Sequence, residues 1–113
     1  GLLATEGTLK TEIYDKIFKK DYTLIKPSNN LQVNSVNKAI KFVKMGNIKL
    51  AEKTIKPAIK YLIKQKCKKI ILGCTEIPIA IFAYKSLQNA KVSKLYLDPN
   101  LILANSCMAR YKK

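Results

Sequence analysis

Short apolar runs alternate along the chain with longer segments in which apolar residues repeat at a helical period. The short runs predict four strands, at residues 2–4, 22–25, 69–72 and 94–97. The longer segments predict five helices, at residues 8–19, 35–45, 48–65, 77–87 and 101–111. Strands and helices that alternate in this way are typical of a parallel sheet with helical connections across its faces.

Several helices carry local signals. Thr8 is placed as the N-cap of the first helix, because its hydroxyl can accept a bond from a backbone N–H of the first turn. Gly46 follows the second helix, where a glycine commonly caps the end. The third helix contains Pro57; an interior proline costs about 3 kcal/mol, so we expect a kink or a restart there. That helix is expected to bury four side chains, those of Ile55, Ile59, Leu62 and Ile63.

The alternation predicts an α/β protein with three layers, α/β/α, around a four-stranded parallel sheet. A chain of 113 residues is long enough for one domain with one core, and no repeat or linker divides it. Residues 1–113 are therefore expected to form a single α/β domain. In open sheets of this type, ligands bind beyond the carboxyl ends of the strands. The segments expected there are residues 5–8, 27–28, 73–76 and 98–99.

The net charge of +15 suggests nucleic acid or an anionic surface as a partner. However, Arg110 is the only arginine, and arginine is better suited than lysine to bidentate phosphate contacts and stacking. The lysines are spread over four of the five predicted helices. We interpret them as a solvated coat, and a nucleic-acid-binding module rests on charge alone. No apolar run approaches the roughly 20 residues of a membrane-spanning helix, so no membrane partner is expected.

The chain contains three cysteines and no histidine. An odd cysteine count with no close pair favours a reducing compartment, and we expect a cytoplasmic protein. The first residues lack the basic start and apolar length of a signal peptide, which agrees with that expectation. Without histidine the chain cannot form a Ser-His or Cys-His catalytic pair or a His-ligated zinc site, and no metal site is expected.

Cys74 is the candidate reactive group. It follows the apolar strand at 69–72 and precedes a helix, where unpaired N–H groups and the helix dipole are expected to stabilise a thiolate. Gly73 permits a close backbone approach, Thr75 can cap the helix or hold a carboxylate, and Glu76 places an acid beside the thiol. The alternative is an inert buried cysteine.

The segment Thr5-Glu6-Gly7-Thr8 follows the first strand in the same way. Its hydroxyls and free N–H groups could cradle a small carboxylate, and the alternative is a glycine turn with an N-cap. Cys67 lies at the opposite end of the strand from Cys74, roughly 20 Å away by strand rise. A disulfide needs Cα atoms within about 7 Å, so these two cysteines should neither bridge nor share a metal.

Three segments resemble a known family. Residues 1–8, Gly-Leu-Leu-Ala-Thr-Glu-Gly-Thr, resemble the motif that opens the second domain of aspartate/glutamate racemases. Residues 73–78, Gly-Cys-Thr-Glu-Ile-Pro, resemble that domain's catalytic motif. The Lys44-Met45-Gly46 segment resembles a third family element and lies thirty positions before Cys74. Glu76 favours the aspartate racemase branch, because the similar glutamate racemases usually have histidine there.

The resemblance implies an activity and a set of residue roles. Family members racemise acidic amino acids without pyridoxal phosphate or another cofactor, using two cysteines from two domains on opposite faces of the α-carbon. Cys74 would be one of these acid/bases. Lys44 would pair with the substrate's side-chain carboxylate, and Glu76 would tune the site. The substrate-binding residues implied in total are Thr5, Gly7, Thr8, Lys44, Thr75 and Glu76.

The resemblance covers the second domain of the family, and the first domain, with its cysteine, is absent from this sequence. Two hypotheses remain open: a fragment of an amino-acid racemase, inactive alone, or a truncated, inactive remnant that binds a small anion or another protein. The last helix should leave Leu101, Ile102 and Met108 partly uncovered. Such a patch favours a homo-oligomer or association with the missing domain.

Overall fold

A computed structural model describes residues 1–18, 20–83 and 94–112. Its sheet has three parallel strands in the order β1 (Leu2–Leu3), β2 (Ile70–Leu72) and β3 (Tyr96–Leu97). Leu3 pairs with Leu72, so the carboxyl ends of β1 and β2 lie level with each other at one edge of the sheet. The α/β class and the parallel sheet are confirmed.

The sheet has three strands and not four in the described part of the chain, because the strand predicted at residues 22–25 does not form. Residues 22–25 are irregular, and the recorded link to the sheet is a bond from the Leu2 N–H to the Ile25 carbonyl at 2.9 Å. A strand needs a ladder of such bonds along its length, and this segment does not form one. The strand predicted at 94–97 is also shorter, because Lys94 and Leu95 are helical.

The helices are short apart from two. Their bounds are α1 (Glu6–Thr11), α2 (Ile13–Phe18), α3 (Asn29–Leu31), α4 (Lys38–Lys44), α5 (Ile48–Lys64), α6 (Glu76–Phe82) and α7 (Pro99–Tyr111). A π-helical stretch, Gln32–Asn37, joins α3 to α4 without a break. The predicted helix at 8–19 is two helices, because Glu12 between them has a left-handed φ of 54°. Lys19 and residues 84–87 of the predicted helices lie outside the described residues.

Alternate strand residues face two separate apolar clusters. Leu3, Ile70 and Leu72 pack into the larger cluster, with residues of the π-helical stretch, α4, α5 and α6. Leu2, Ala4 and Ile71 face the other side, where apolar side chains of α1 and α2 cover them. β1 and β2 are therefore buried on both faces, which explains why residues 70–72 are all apolar.

The turn after α4 confirms the predicted glycine cap. Gly46 has a φ of 78°, a left-handed conformation that favours glycine. Its N–H donates to the Val43 carbonyl at 3.0 Å, and the Asn47 N–H donates to the Phe42 carbonyl at 2.9 Å. This pair of bonds is the Schellman motif, which ends α4 immediately after Lys44 and turns the chain into α5.

Pro57 does not restart α5, which is continuous from Ile48 to Lys64. The hydroxyl of Ser35 is inserted into the helix next to the proline. It donates to the Thr54 carbonyl at 2.6 Å and accepts from the Ala58 N–H at 3.2 Å, so it bridges two groups that a regular helix would pair directly. Of the predicted core side chains, Ile55 and Leu62 are buried and Ile59 is partly buried, but Ile63 is exposed.

The last helix, α7, begins regularly but packs little. The Asp98 carboxylate accepts a bond from the Asn100 N–H at 3.0 Å, and Pro99 occupies the first turn. No residue of α7 is buried, and its apolar side chains are about half exposed or more: Leu101, Ile102, Leu103 and Met108. The predicted uncovered face is confirmed. Within the described residues, no helix is long and apolar enough to cross a membrane.

Candidate functional site

The carboxyl ends of β1 and β2 approach closely because residue 73 is a glycine. The Gly73 N–H donates to the Leu3 carbonyl at 2.7 Å. A Cβ at Gly73 would lie 3.1 Å from the Cβ of Ala4 and 3.2 Å from the Leu3 oxygen, too tight for another residue without a shift. The next residues on the two strands are Thr5 and Cys74, so the two predicted loops lie side by side at this edge.

A single carboxylate organises the end of β2. The Cys74 thiol donates to Glu76 Oε2 at 2.7 Å, and the Thr75 hydroxyl donates to the same oxygen at 3.0 Å. β2 ends at Leu72, Gly73 follows it directly, and Glu76 is the first residue of α6. The three consecutive side chains of the motif therefore converge on one another.

The expectation of a stabilised thiolate at Cys74 is wrong for this structure. Burial raises the pKa of the Cys74 thiol, and its bond to the Glu76 carboxylate raises it further, to about 11. Bonds from the backbone N–H groups of Glu76 and Ile77 lower the pKa, but they do not outweigh those causes. The helix start favours the anion as expected, yet the acid beside the thiol and the loss of water favour the neutral form.

Glu76 is held as a carboxylate by the same contacts. Its pKa is lowered, chiefly by the hydrogen bond from Cys74, with smaller contributions from Thr75 and from Lys44. The Lys44 ammonium lies 3.9 Å from Glu76 Oε1, where α4 ends beside α6. The Lys44 side chain is 64% exposed and that of Glu76 is 22% exposed, so the lysine reaches the carboxylate from solvent.

The end of β1 is the first turn of a helix and not an open loop. Thr5 is the N-cap of α1, and its Oγ1 accepts from the Thr8 N–H at 3.2 Å. The Thr5 hydroxyl also donates to Thr8 Oγ1 at 3.1 Å. The prediction of Thr8 as the N-cap is therefore wrong by one turn: Thr8 provides the N–H that the true cap satisfies.

An open cavity of about 310 Å³ lies against this turn. It is lined by Thr5, Glu6, Gly7, Asn37 and Ile40. Ile40 and Lys44 are four residues apart on α4 and so lie on one face of that helix, which places the cavity on the side of α4 that leads to Glu76.

Two residues that support this cavity, Gln32 and Asn37, were not predicted from the sequence. The buried Gln32 amide donates to the Ala4 carbonyl at 2.9 Å and to Asn37 Oδ1 at 2.8 Å. The Asn37 amide donates in turn to Glu6 Oε1 at 2.9 Å. The sequence does contain one indication of this role. Gln32 is a polar residue four positions before the buried Val36, so it lies on the apolar stripe of its helical segment.

The other two segments predicted to bind a ligand, residues 27–28 and 98–99, contribute helix caps. Ser28 Oγ accepts from the Leu31 N–H at 3.4 Å and caps α3, and Asp98 caps α7. All three cysteines are free: Cys67 packs against the larger core cluster, and Cys107 is exposed on α7. In the part of the chain that the structure describes, no group of three His, Cys, Asp or Glu side chains could hold a metal ion.

Comparison with known proteins identifies the class to which this arrangement belongs. A model of the family described as Asp/Glu/Hydantoin racemase matches residues 1–107. The chain therefore belongs to this family, as its three motifs predicted.

A relative from Pectobacterium carotovorum subsp. carotovorum is described as "Uncharacterized protein in pnlA 3'region". It is 35% identical over 82 residues, which cover 72% of this chain and 54% of the relative. The chain thus matches about half the length of that protein.

Proposed function

We propose that this chain provides one side of the active site of a cofactor-independent racemase that interconverts L- and D-aspartate or glutamate. The observation that carries the proposal is the Cys74 thiol, hydrogen-bonded to the Glu76 carboxylate at the carboxyl edge of the sheet, in a chain that belongs to the racemase family. Racemisation requires groups that take a proton from the α-carbon and return one to it, and a thiol can act in this way.

In this proposal, Cys74 acts as a proton donor when the cycle begins. Its raised pKa keeps it a thiol at neutral pH, so it can deliver a proton to the α-carbon after a second base has removed the α-proton from the opposite face. The Cys74 thiolate formed in that step takes the α-proton when the reaction runs in reverse. Between turnovers, the Glu76 carboxylate accepts the hydrogen bond from the Cys74 thiol, and the proton stays on sulfur.

Neither of the other two cysteines is placed to act as the second base. Cys67 lies before β2, at the far end from Cys74, and Cys107 lies on the exposed helix α7. We propose that the second cysteine belongs to another domain of the same protein or to a partner chain, and that the uncovered face of α7 contributes to that association. A homo-oligomer is the simplest alternative.

The substrate is proposed to lie between the two strand ends. Lys44 would bind its side-chain carboxylate, and Thr75 would bind its α-carboxylate or ammonium group. Thr5, Gly7 and Thr8 line or support the adjoining cavity and would hold the remaining polar group. We further propose that the reaction needs no cofactor or metal and takes place in the cytoplasm, where free thiols persist.

Solvent exchange at the α-carbon tests this function. The protein, expressed in full from its natural gene, is incubated in D₂O with L-aspartate and, in parallel, with L-glutamate. Proton NMR should show loss of the α-proton signal of one of them, and chiral chromatography should show the D-enantiomer. If neither amino acid takes up deuterium while the protein is folded, the proposal is wrong.

The second candidate function is a catalytically inactive domain that binds a small anion or another protein. The observation that favours it is the absence of a second suitably placed thiol in a chain whose own Cys74 is held neutral. Racemisation of aspartate by the 113-residue chain alone, at a rate typical of enzymes, would eliminate this candidate.

A further inference from the structure

The Glu76 carboxylate has two oxygens, and they face different groups. Oε2 accepts from Cys74 at 2.7 Å and from Thr75 at 3.0 Å. Oε1 faces the Lys44 ammonium at 3.9 Å. The lysine and the cysteine therefore contact the same carboxylate from opposite sides, although one lies at the end of α4 and the other precedes α6.

We propose that Lys44 is a positioning residue that acts on Cys74 through Glu76. The inference rests on the proposed function, in which the same ammonium binds the substrate's side-chain carboxylate. Lys44 partly neutralises Glu76 and holds its carboxylate in line with the thiol. An acidic ligand that draws Lys44 away leaves the full carboxylate charge on the thiol side and keeps Cys74 protonated. The arrival of an acidic substrate would thereby strengthen the hold of sulfur on the proton that Cys74 already carries.

The electrostatic surroundings allow this coupling. Lys44 is the charge that α4 brings to Glu76, while Cys74 and Thr75 act on it from its own segment. α5 also packs against α6, but it adds apolar side chains to the shared core; its lysines are exposed, and its one acidic residue, Glu52, is partly buried. Glu6, at the neighbouring strand end, is bound by Asn37. The causes that shift the Cys74 pKa include Glu76 and not Lys44, as an indirect action requires.

A double-mutant cycle on thiol reactivity tests the proposal with this chain. The rate at which Cys74 reacts with iodoacetamide, a neutral reagent, is measured from pH 7.5 to 9.5 by peptide mass spectrometry. Over this range the rate follows the thiolate fraction of Cys74. The variants are Lys44→Met, Glu76→Gln and the double variant. Lys41→Met, an exposed lysine one turn earlier on α4, is the matched control.

Lys44→Met should slow Cys74 alkylation about two- to fivefold, because a charge near 4 Å from its partner in a wet site has an effect of that size. Glu76→Gln should accelerate it, since the acceptor and its charge are both removed. In the Glu76→Gln background, Lys44→Met should have no effect, and Lys41→Met should have none in either background. In each sample, the alkylation rate of the exposed Cys107 reports on the reagent, and that of the partly buried Cys67 reports on folding.

Two results would overturn the inference. If Lys44→Met slows Cys74 equally with and without Glu76, the lysine acts directly on the thiol. If it changes nothing in either background, the two residues are not coupled. Neither result bears on α-proton exchange, so the proposed racemase activity can fail or survive separately.

Discussion

The ends of β1 and β2 lie side by side, yet they use their polar groups in opposite ways. At β1, the polar groups bond to one another and to buried backbone: Thr5 to Thr8, and Gln32 to Ala4 and Asn37. At β2, a thiol, a hydroxyl and an ammonium converge on one carboxylate that is reachable from solvent. The first end is built as support, and the second retains groups that can still exchange protons or partners.

This difference separates two kinds of experimental effect. Substitutions at the β1 end should change the free energy of unfolding, because they leave buried donors or acceptors without partners. Substitutions at the β2 end should change the reactivity of a thiol whose surroundings set its protonation. A substitution at the β1 end that changed only the reactivity of Cys74, or one at the β2 end that changed only the free energy of unfolding, would contradict this separation.

The largest expected effect is the low reactivity of Cys74. Its pKa is raised from 9.0 to about 11, so at pH 8 its thiolate fraction should be about a hundredfold smaller than that of an ordinary thiol. Because the shift is upward, reactivity should continue to rise with pH until about pH 11. Alkylation by iodoacetamide, followed by peptide mass spectrometry, measures this against the exposed Cys107 in the same sample.

Unfolding supplies the control for that prediction. In denaturant, burial and the Glu76 bond are lost, and Cys74 should react at the same rate as Cys107. Equal rates for the two cysteines in the native protein at pH 8 would show that the contact with Glu76 does not hold the thiol proton.

The next effect is a loss of stability on removing the buried Gln32 amide. Gln32→Met keeps the length of the side chain but leaves the Ala4 carbonyl without its donor and breaks the link to Asn37. We expect a loss of about 1–3 kcal/mol in the free energy of unfolding, from urea titration. The exposed Gln65→Met is the control and should change little. A loss below 0.5 kcal/mol (about the size of an ordinary surface change) would remove Gln32 from the support of the site.

A smaller effect is expected from the N-cap of α1. Thr5→Ala removes the acceptor of the Thr8 N–H and should cost about 1 kcal/mol, the typical value for a lost threonine cap. Thermal and urea unfolding measure this against Thr23→Ala in the exposed irregular segment. Cys74 alkylation should not change in Thr5→Ala; a change would mean that the two strand ends are not separate in function.

The sequence was sufficient for features that depend on local periodicity. The strand at β2 and the helices α4 and α5 follow from their apolar repeats, and Gly46 follows from the left-handed turn that only glycine adopts easily. The strand predicted at 22–25 failed because strand formation depends on a partner ladder, which a single chain segment does not reveal.

The sequence predicted which residues meet at the site but not the direction in which the pKa of the Cys74 thiol is shifted. The motif identified Cys74 and Glu76 as neighbours. It did not show whether the helix terminus or burial would dominate the thiol pKa, since that depends on the distance to a carboxylate and on excluded water. Gln32 is marked in the sequence as a polar residue on an apolar stripe, but its partner Ala4 is 28 residues away and has no local signature. Pro57 was recognised in the sequence, but the insertion of the Ser35 hydroxyl beside it, between Thr54 and Ala58, required the packed structure.

The most direct test of the central claim compares Cys74→Ser with Cys67→Ser in deuterium exchange at the α-carbon of aspartate, using the full protein from its natural gene. Loss of one acid/base typically costs about 10²–10⁴ in rate. We therefore predict that Cys74→Ser lowers the exchange rate by at least a hundredfold while Cys67→Ser, which lies before β2 at the end of the strand opposite Cys74, retains most of it. Exchange by Cys74→Ser at the wild-type rate would contradict the assignment of Cys74 as the acid/base on this side of the substrate.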